Sequence, residues 1–144
     1  MTAKGTSNGC RVEMAVVLVD ISCVQSLLGV TADEARRRVR SGAIRWVFDF
    51  GTGSRRRLRF WLPALMGGNT ALPVEQVVNE IIGSPARMIA SSYLVIRFVL
   101  DRPTVGRLVK KGRWQGSLVC RGRKQWWIVR TSLVRFLAER LVTP

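Results

Sequence analysis

The chain has 144 residues, with 24 Lys and Arg against 9 Asp and Glu, no histidine, a net charge of +15 and 47% hydrophobic residues. That apolar content supports packed cores and excludes wholesale disorder, and the length suits one ordinary domain or two small ones. A cationic excess of this size repels itself and is sustained where a polyanion neutralises it, which leaves DNA, RNA and anionic membrane surfaces as partner classes.

The charge is not a tail: residues 1–70 carry a net +6 and residues 71–144 a net +9. Cys10, Cys23 and Cys120 are isolated, and without histidine the usual zinc spacings are missing, so no metal or cofactor is expected. Free or buried thiols in a reducing cytoplasm are the expectation for these cysteines. The apolar run at residues 15–19 is too short to span a bilayer and lacks the features of a signal peptide. A cytoplasmic protein without a membrane partner is therefore expected.

Taken in chain order, residues 1–12 read as a disordered basic tail. MAVVLV (14–19) is strand or helix. SCVQSLLG (22–29) reads as a short helix with Ser22 as N-cap and Gly29 as breaker. TADEARRRVRSG (31–42) opens on a capping box, Thr31 with Glu34, and ends at Gly42. On its helical wheel Ala35 and Val39 share an inner face, whereas Arg36, Arg37 and Arg40 point away. AIRWVFDF and RRRLRFW then flank Gly51-Thr52-Gly53-Ser54 as a β-hairpin.

GGNT (67–70) marks a boundary between a first unit, 13–68, and a second, 69–144. PVEQVVNEIIG (73–83) has helical spacing, Ser84-Pro85 reads as the start of another helix, and SYLVIRFVL (92–100) fits strand or helix. DRPTVGRLVKKG (101–112) then repeats the first cationic helix seventy positions later, with Asp101 as cap, Val105, Leu108 and Val109 inward, and Arg107, Lys110 and Lys111 outward. QGSLVC and QWWIVR form a second hairpin around Arg121-Gly122-Arg123-Lys124, and TSLVRFLAERL closes the chain as a helix capped by Thr131 or Ser132.

LLGVTADEARRRVRSGAIRWV followed by the hairpin and LRFWLPAL resembles the winged helix-turn-helix of phage excisionases and mercury-resistance-type regulators. Residues 101–140 resemble the same module, so the resemblance covers most of residues 15–142. Val99-Leu100 departs from the turn Gly29-Val30, and EIIGSPARMI (80–89) offers a second register for the helix-turn-helix. No long heptad helix follows, so the dimerising coiled coil of the mercury-resistance-type regulators is missing.

The resemblance implies an α+β fold of two winged helix-turn-helix units in tandem, binding double-stranded DNA. The recognition-helix residues are Arg36, Arg37, Arg40, Arg102, Thr104, Arg107, Lys110 and Lys111; the wing residues are Arg55, Arg56, Arg57, Arg121, Arg123 and Lys124. It implies an excisionase-like recombination directionality factor or a transcriptional regulator of a mobile element, with a recombinase or other DNA-bound protein as partner and cooperative self-association on DNA. Taken alone, the arginines also fit a solvated helix face, and the basic hairpins an edge protected from pairing. RNA or single-stranded binding through Trp46, Trp61, Trp114, Trp126 and Trp127 is the alternative, as is plasmid or phage replication control; the same tryptophans also suit a small core. No enzyme is expected, because histidine, paired carboxylates and a phosphate-binding loop are missing from the sequence.

Overall fold

A computed structural model describes residues 16–67 and 71–143; the tail at 1–12 lies outside the described residues. Among the described residues the protein is a mixed α+β chain with seven helices and two three-stranded antiparallel sheets. No helix among them is long and apolar enough to cross a membrane. The chain divides into two compact units, Met1–Ala71 with Leu141–Pro144, and Leu72–Arg140.

The first unit runs β1 (Leu18–Val19), α1 (Ile21–Leu28), α2 (Ala32–Ser41), β2 (Val47–Asp49), β3 (Leu58–Trp61) and α3 (Leu62–Leu65), with sheet order β1-β3-β2. The N-cap of α1 is Asp20, not Ser22. The Asp20 carboxylate accepts the Cys23 N–H at 3.1 Å and the Ser22 hydroxyl at 2.8 Å, and a carboxylate outcompetes a hydroxyl for this place. Thr31 caps α2 by accepting the Glu34 N–H at 3.1 Å, and Ala35 and Val39 point inward as their spacing requires. They meet Val19, Val24, Ile44, Val47 and Phe60 in one apolar cluster. Cys23 is buried in that cluster and is disulfide-bonded, whereas a buried or free thiol was expected; Cys120 is a free, exposed thiol.

The last residues of the chain complete this first unit. Val142 N–H donates to Val47 O at 2.8 Å, Leu141 bridges Phe48, and the Val142 side chain packs against the apolar cluster. Removing residues 71–144 would therefore strip the first unit of one of its own edges.

The second unit runs α4 (Val74–Ile82), β4 (Met88–Ala90), α5 (Ser91–Arg97), α6 (Arg102–Lys110), β5 (Gly116–Arg121), β6 (Arg123–Val129) and α7 (Arg130–Arg140), with order β4-β6-β5. No helix begins at Ser84-Pro85. Those residues are loop, because Arg130 donates from Nε to Ser84 O at 2.8 Å and from its backbone to Arg87 O at 2.8 Å, drawing the segment into strand β4. This also removes the register through residues 80–89. The last carbonyls of α4 are satisfied by side chains: Arg97 donates to Ile81 O at 2.6 Å and Glu80 O at 2.9 Å, and Tyr93 to Ile82 O at 2.9 Å. Helix α7 starts at Arg130, directly after β6. Ser132 is buried within it and ties it to the hairpin, donating to Val129 O at 2.7 Å and accepting the Gln115 N–H at 3.0 Å.

The two units repeat each other down to individual hydrogen bonds. In the turn between α1 and α2, Gly29 is left-handed at φ 66° and Val30 N–H donates to Gln25 O at 3.3 Å. Seventy positions on, Val99 is left-handed at φ 53° and Leu100 N–H donates to Val95 O at 3.0 Å. Thr31 and Asp101 cap the following helices identically. After them, Ile44 N–H reaches Arg38 O at 3.0 Å and Trp114 N–H reaches Leu108 O at 3.1 Å. Val99-Leu100 thus makes the same turn as Gly29-Val30 despite its composition. A β-branched residue in that conformation carries about 1–2 kcal/mol of strain.

Two outcomes test this fold. By chemical denaturation, Gly29→Val should destabilise the protein by about 1–2 kcal/mol, whereas Val99→Gly should be neutral or stabilising. A loss of a kilocalorie or more from Val99→Gly would refute a left-handed turn there. Val142→Asp buries a charge against the first core and should cost about 1–3 kcal/mol. Hydrogen exchange should accelerate at β2 and β3 and stay unchanged at β5 and β6.

Candidate nucleic-acid interface

Helix α2 presents a cationic ridge because its buried positions are Ala35 and Val39; of the arginines between them Arg36 and Arg37 face solvent and Arg38 lies on the flank, half-buried. Arg36, Arg37 and Arg40 are exposed. They are not isolated charges: Arg36 pairs with Asp33 at 3.1 Å, Arg37 with Glu34 at 2.5 Å, and Arg38 with Glu34 at 3.0 Å. The hydrogen bond from Arg38, opposed by partial desolvation and reinforced by the Arg37 charge, holds the Glu34 carboxyl below the usual carboxylate range. A lowered carboxylate stabilises the fold above its unfolded value and loses that contribution as pH falls through the folded one. The network is therefore intact at neutral pH and opens in acid.

Helix α6 carries Arg102, Arg107, Lys110 and Lys111 in exposed positions. Thr104 does not join them: it is 3% exposed. Its hydroxyl donates to the Asp101 carboxylate and accepts from Arg107 Nη2 at 3.1 Å. It is part of the cap, and it orients Arg107 rather than reaching outward. The position matching Arg36 is Gly106, where an added Cβ would lie 3.6 Å from Trp126 Nε1, so the indole of the hairpin covers the helix there.

The two hairpins differ more than their sequences suggested. β2 and β3 are short, and residues 50–57 form a loop rather than further strand. Asp49 organises this loop: Oδ1 accepts the Gly51 N–H at 2.8 Å and the Arg57 N–H at 2.9 Å, and Oδ2 pairs with Arg56 Nε at 3.4 Å. Gly51 is required because a Cβ there would collide with Arg55 O. Arg55 and Arg56 are exposed and Arg57 is half-buried. β5 and β6, by contrast, are paired from Gly116↔Ile128 to the tip at Arg121↔Arg123. Arg121, Arg123 and Lys124 are exposed there and make no ion pair among the described residues.

Not every cation is available to a ligand. Arg59 is buried and donates to Leu58 O; Arg97 and Arg130 are engaged by backbone carbonyls as described above. Trp46, Trp61 and Trp114 are buried, with Trp46 edge-on to Trp61 at 5.9 Å and Trp114 edge-on to Phe136 at 5.7 Å. Trp126 and Trp127 are half-buried. Sequence reasoning missed Asp49, whose place two residues before Gly51 was a readable turn signal, and the cover of Trp126 on Gly106, which was not.

No protein-family model, curated protein or solved structure matches this chain.

Asp49→Ala removes two charge-assisted bonds from a partly buried loop, each worth about 1.5–3 kcal/mol. Trypsin should then cut the 55–57 segment faster than in the parent chain, with the 121–124 tip unchanged. Equal cleavage rates at residues 55–57 would show that Asp49 does not hold the loop.

Proposed function

We propose that this protein binds double-stranded DNA through two winged helix-turn-helix units carried in one chain. α2 and α6 are the recognition helices, and the loops at 50–57 and 121–124 are the wings. The observation that carries this reading is the duplicated presentation of cations. Matched turns and caps place Arg37 with Arg107, and Arg40 with Lys110, on the solvent side of equivalent helices, each followed by a basic hairpin. A helix of this kind fits a major groove, and a cationic hairpin tip follows phosphates or enters a narrow minor groove. Burial of Trp46, Trp61 and Trp114 withdraws most of the stacking surface that a single-stranded ligand would use, which favours duplex over RNA. The protein acts by binding and not by catalysis. Its resemblance to excisionases favours control of recombination or transcription on a mobile element, alongside a recombinase or other DNA-bound partner.

Joining two units raises the effective concentration of the second once the first is bound. Fluorescence anisotropy with duplex DNA, single strands and RNA across a salt series tests the reading. Each phosphate neutralised contributes a slope of about −0.9 in log K against log salt, so six or more contacts should give roughly −5 or steeper on duplex. Arg36→Ala/Arg37→Ala/Arg40→Ala should weaken duplex binding about 100-fold or more, at about 1–3 kcal/mol per good base contact, with an unchanged circular dichroism spectrum. Tighter binding to RNA, or undiminished duplex binding by the triple variant, would overturn the proposal.

A further inference from the structure

The two helices that repeat in sequence do not present the same surface. The first turn of α2 contains Asp33 and Glu34, whereas the first turn of α6 contains no acid. The Asp33 side chain is 89% exposed and lies beside Arg36 in the N-terminal half of the helix, the half that reaches base edges in this kind of docking. In α6 the same half exposes Arg102 and Pro103 but no acid, while Thr104 and Val105 are buried and Trp126 covers Gly106. Apart from Arg102 at its start, the cations of α6 lie toward its end, Arg107 and Lys110 in the last turn and Lys111 at the C-cap. The hairpins follow the same division, since Asp49 pairs with Arg56 in the first and, among the described residues, no acid pairs with the tip of the second.

On these grounds we propose that the units divide the work of binding: the first reads bases, and the second holds the phosphate backbone without regard to sequence. The inference rests on the duplex-DNA reading above. An exposed carboxylate facing a groove is repelled by phosphates and is accommodated where it accepts a hydrogen bond from a base amino group, such as cytosine N4. Its presence makes docking of α2 conditional on the sequence opposite it, because at a mismatched site the carboxylate faces the phosphates with Arg36 as its one partner on the helix. Helix α6 has no such discriminating group. Lysine, a flexible point charge without a planar fork, suits phosphate better than a base edge.

The test uses the full chain and a pool of random-sequence duplexes. Selection should enrich one contiguous block of conserved base pairs, not two related blocks. Affinities of variants are then measured on the winning duplex and on a scrambled duplex across a salt series. Lys110→Ala/Lys111→Ala should weaken both duplexes by the same factor and reduce the salt slope by about 2. Arg36→Ala should weaken the winner about 10-fold or more and the scrambled duplex far less, and Asp33→Asn should change the preferred base at one position. Enrichment of two related blocks, no enrichment despite binding, or a loss of discrimination in Lys110→Ala/Lys111→Ala would overturn the division while leaving duplex binding in place. Failure of the full chain to bind any duplex would instead remove the reading on which it rests.

Discussion

Everything that faces solvent on α2 and α6 depends on one left-handed residue before each of them. Gly29 and Val99 reverse the chain within a single residue, and the N–H groups of Val30 and Leu100 then close onto Gln25 O and Val95 O. That geometry sets the angle at which the second helix leaves the first. It therefore sets which face of the second helix meets the core and which is left to solvent. Ala35 and Val39 in one unit, and Val105 and Leu108 in the other, are buried because the turn aims them inward; the arginines and lysines are presented for the same reason. Glycine meets this requirement without strain. That valine meets it too shows how strongly the packing of Leu94, Phe98 and Leu100 over-determines the backbone at Val99.

Charge is sorted by the fold into two populations. Some guanidinium groups close the backbone polar groups that short elements leave open. Arg97 satisfies the end of α4, Arg130 fastens the loop before β4, and Arg59 lies buried along its strand. Others stand on α2, α6 and the hairpin tips, where among the described residues Asp33, Glu34 and Asp49 temper them. In a chain of net charge +15, this sorting leaves cations exposed on both cationic helices and both hairpins, and such surfaces suit a polyanion.

Much of this was legible along the chain because it depends on neighbours in sequence. The Thr31 cap, the Gly42 stop, the inward pair Ala35 and Val39, and the echo at Asp101 all follow from spacing over four or five residues. The differences arose where another group, near or far in sequence, competed for the same partner. Ser22 lost its capping role to a nearby carboxylate, Ser84-Pro85 lost its helix to Arg130, and Thr104 lost its exposure to Asp101 and the core beneath it. Ser132, which looked like a cap, became a buried link between α7 and the residue before β5.

Amino-acid order alone was enough to establish a basic, mixed α+β chain with a seventy-residue repeat and two cationic helices, since caps, periodicity and net charge are local or additive quantities. Three-dimensional contacts decided the rest. They made Val99 the equal of Gly29, returned Val142 to the first core, laid Trp126 over Gly106, and let Asp49 hold the first loop while the second stayed paired to its tip. Each of these joins residues that the sequence keeps apart or turns on a conformation that a side chain does not announce. Which cations stay free for a ligand is set by that packing and not by their number.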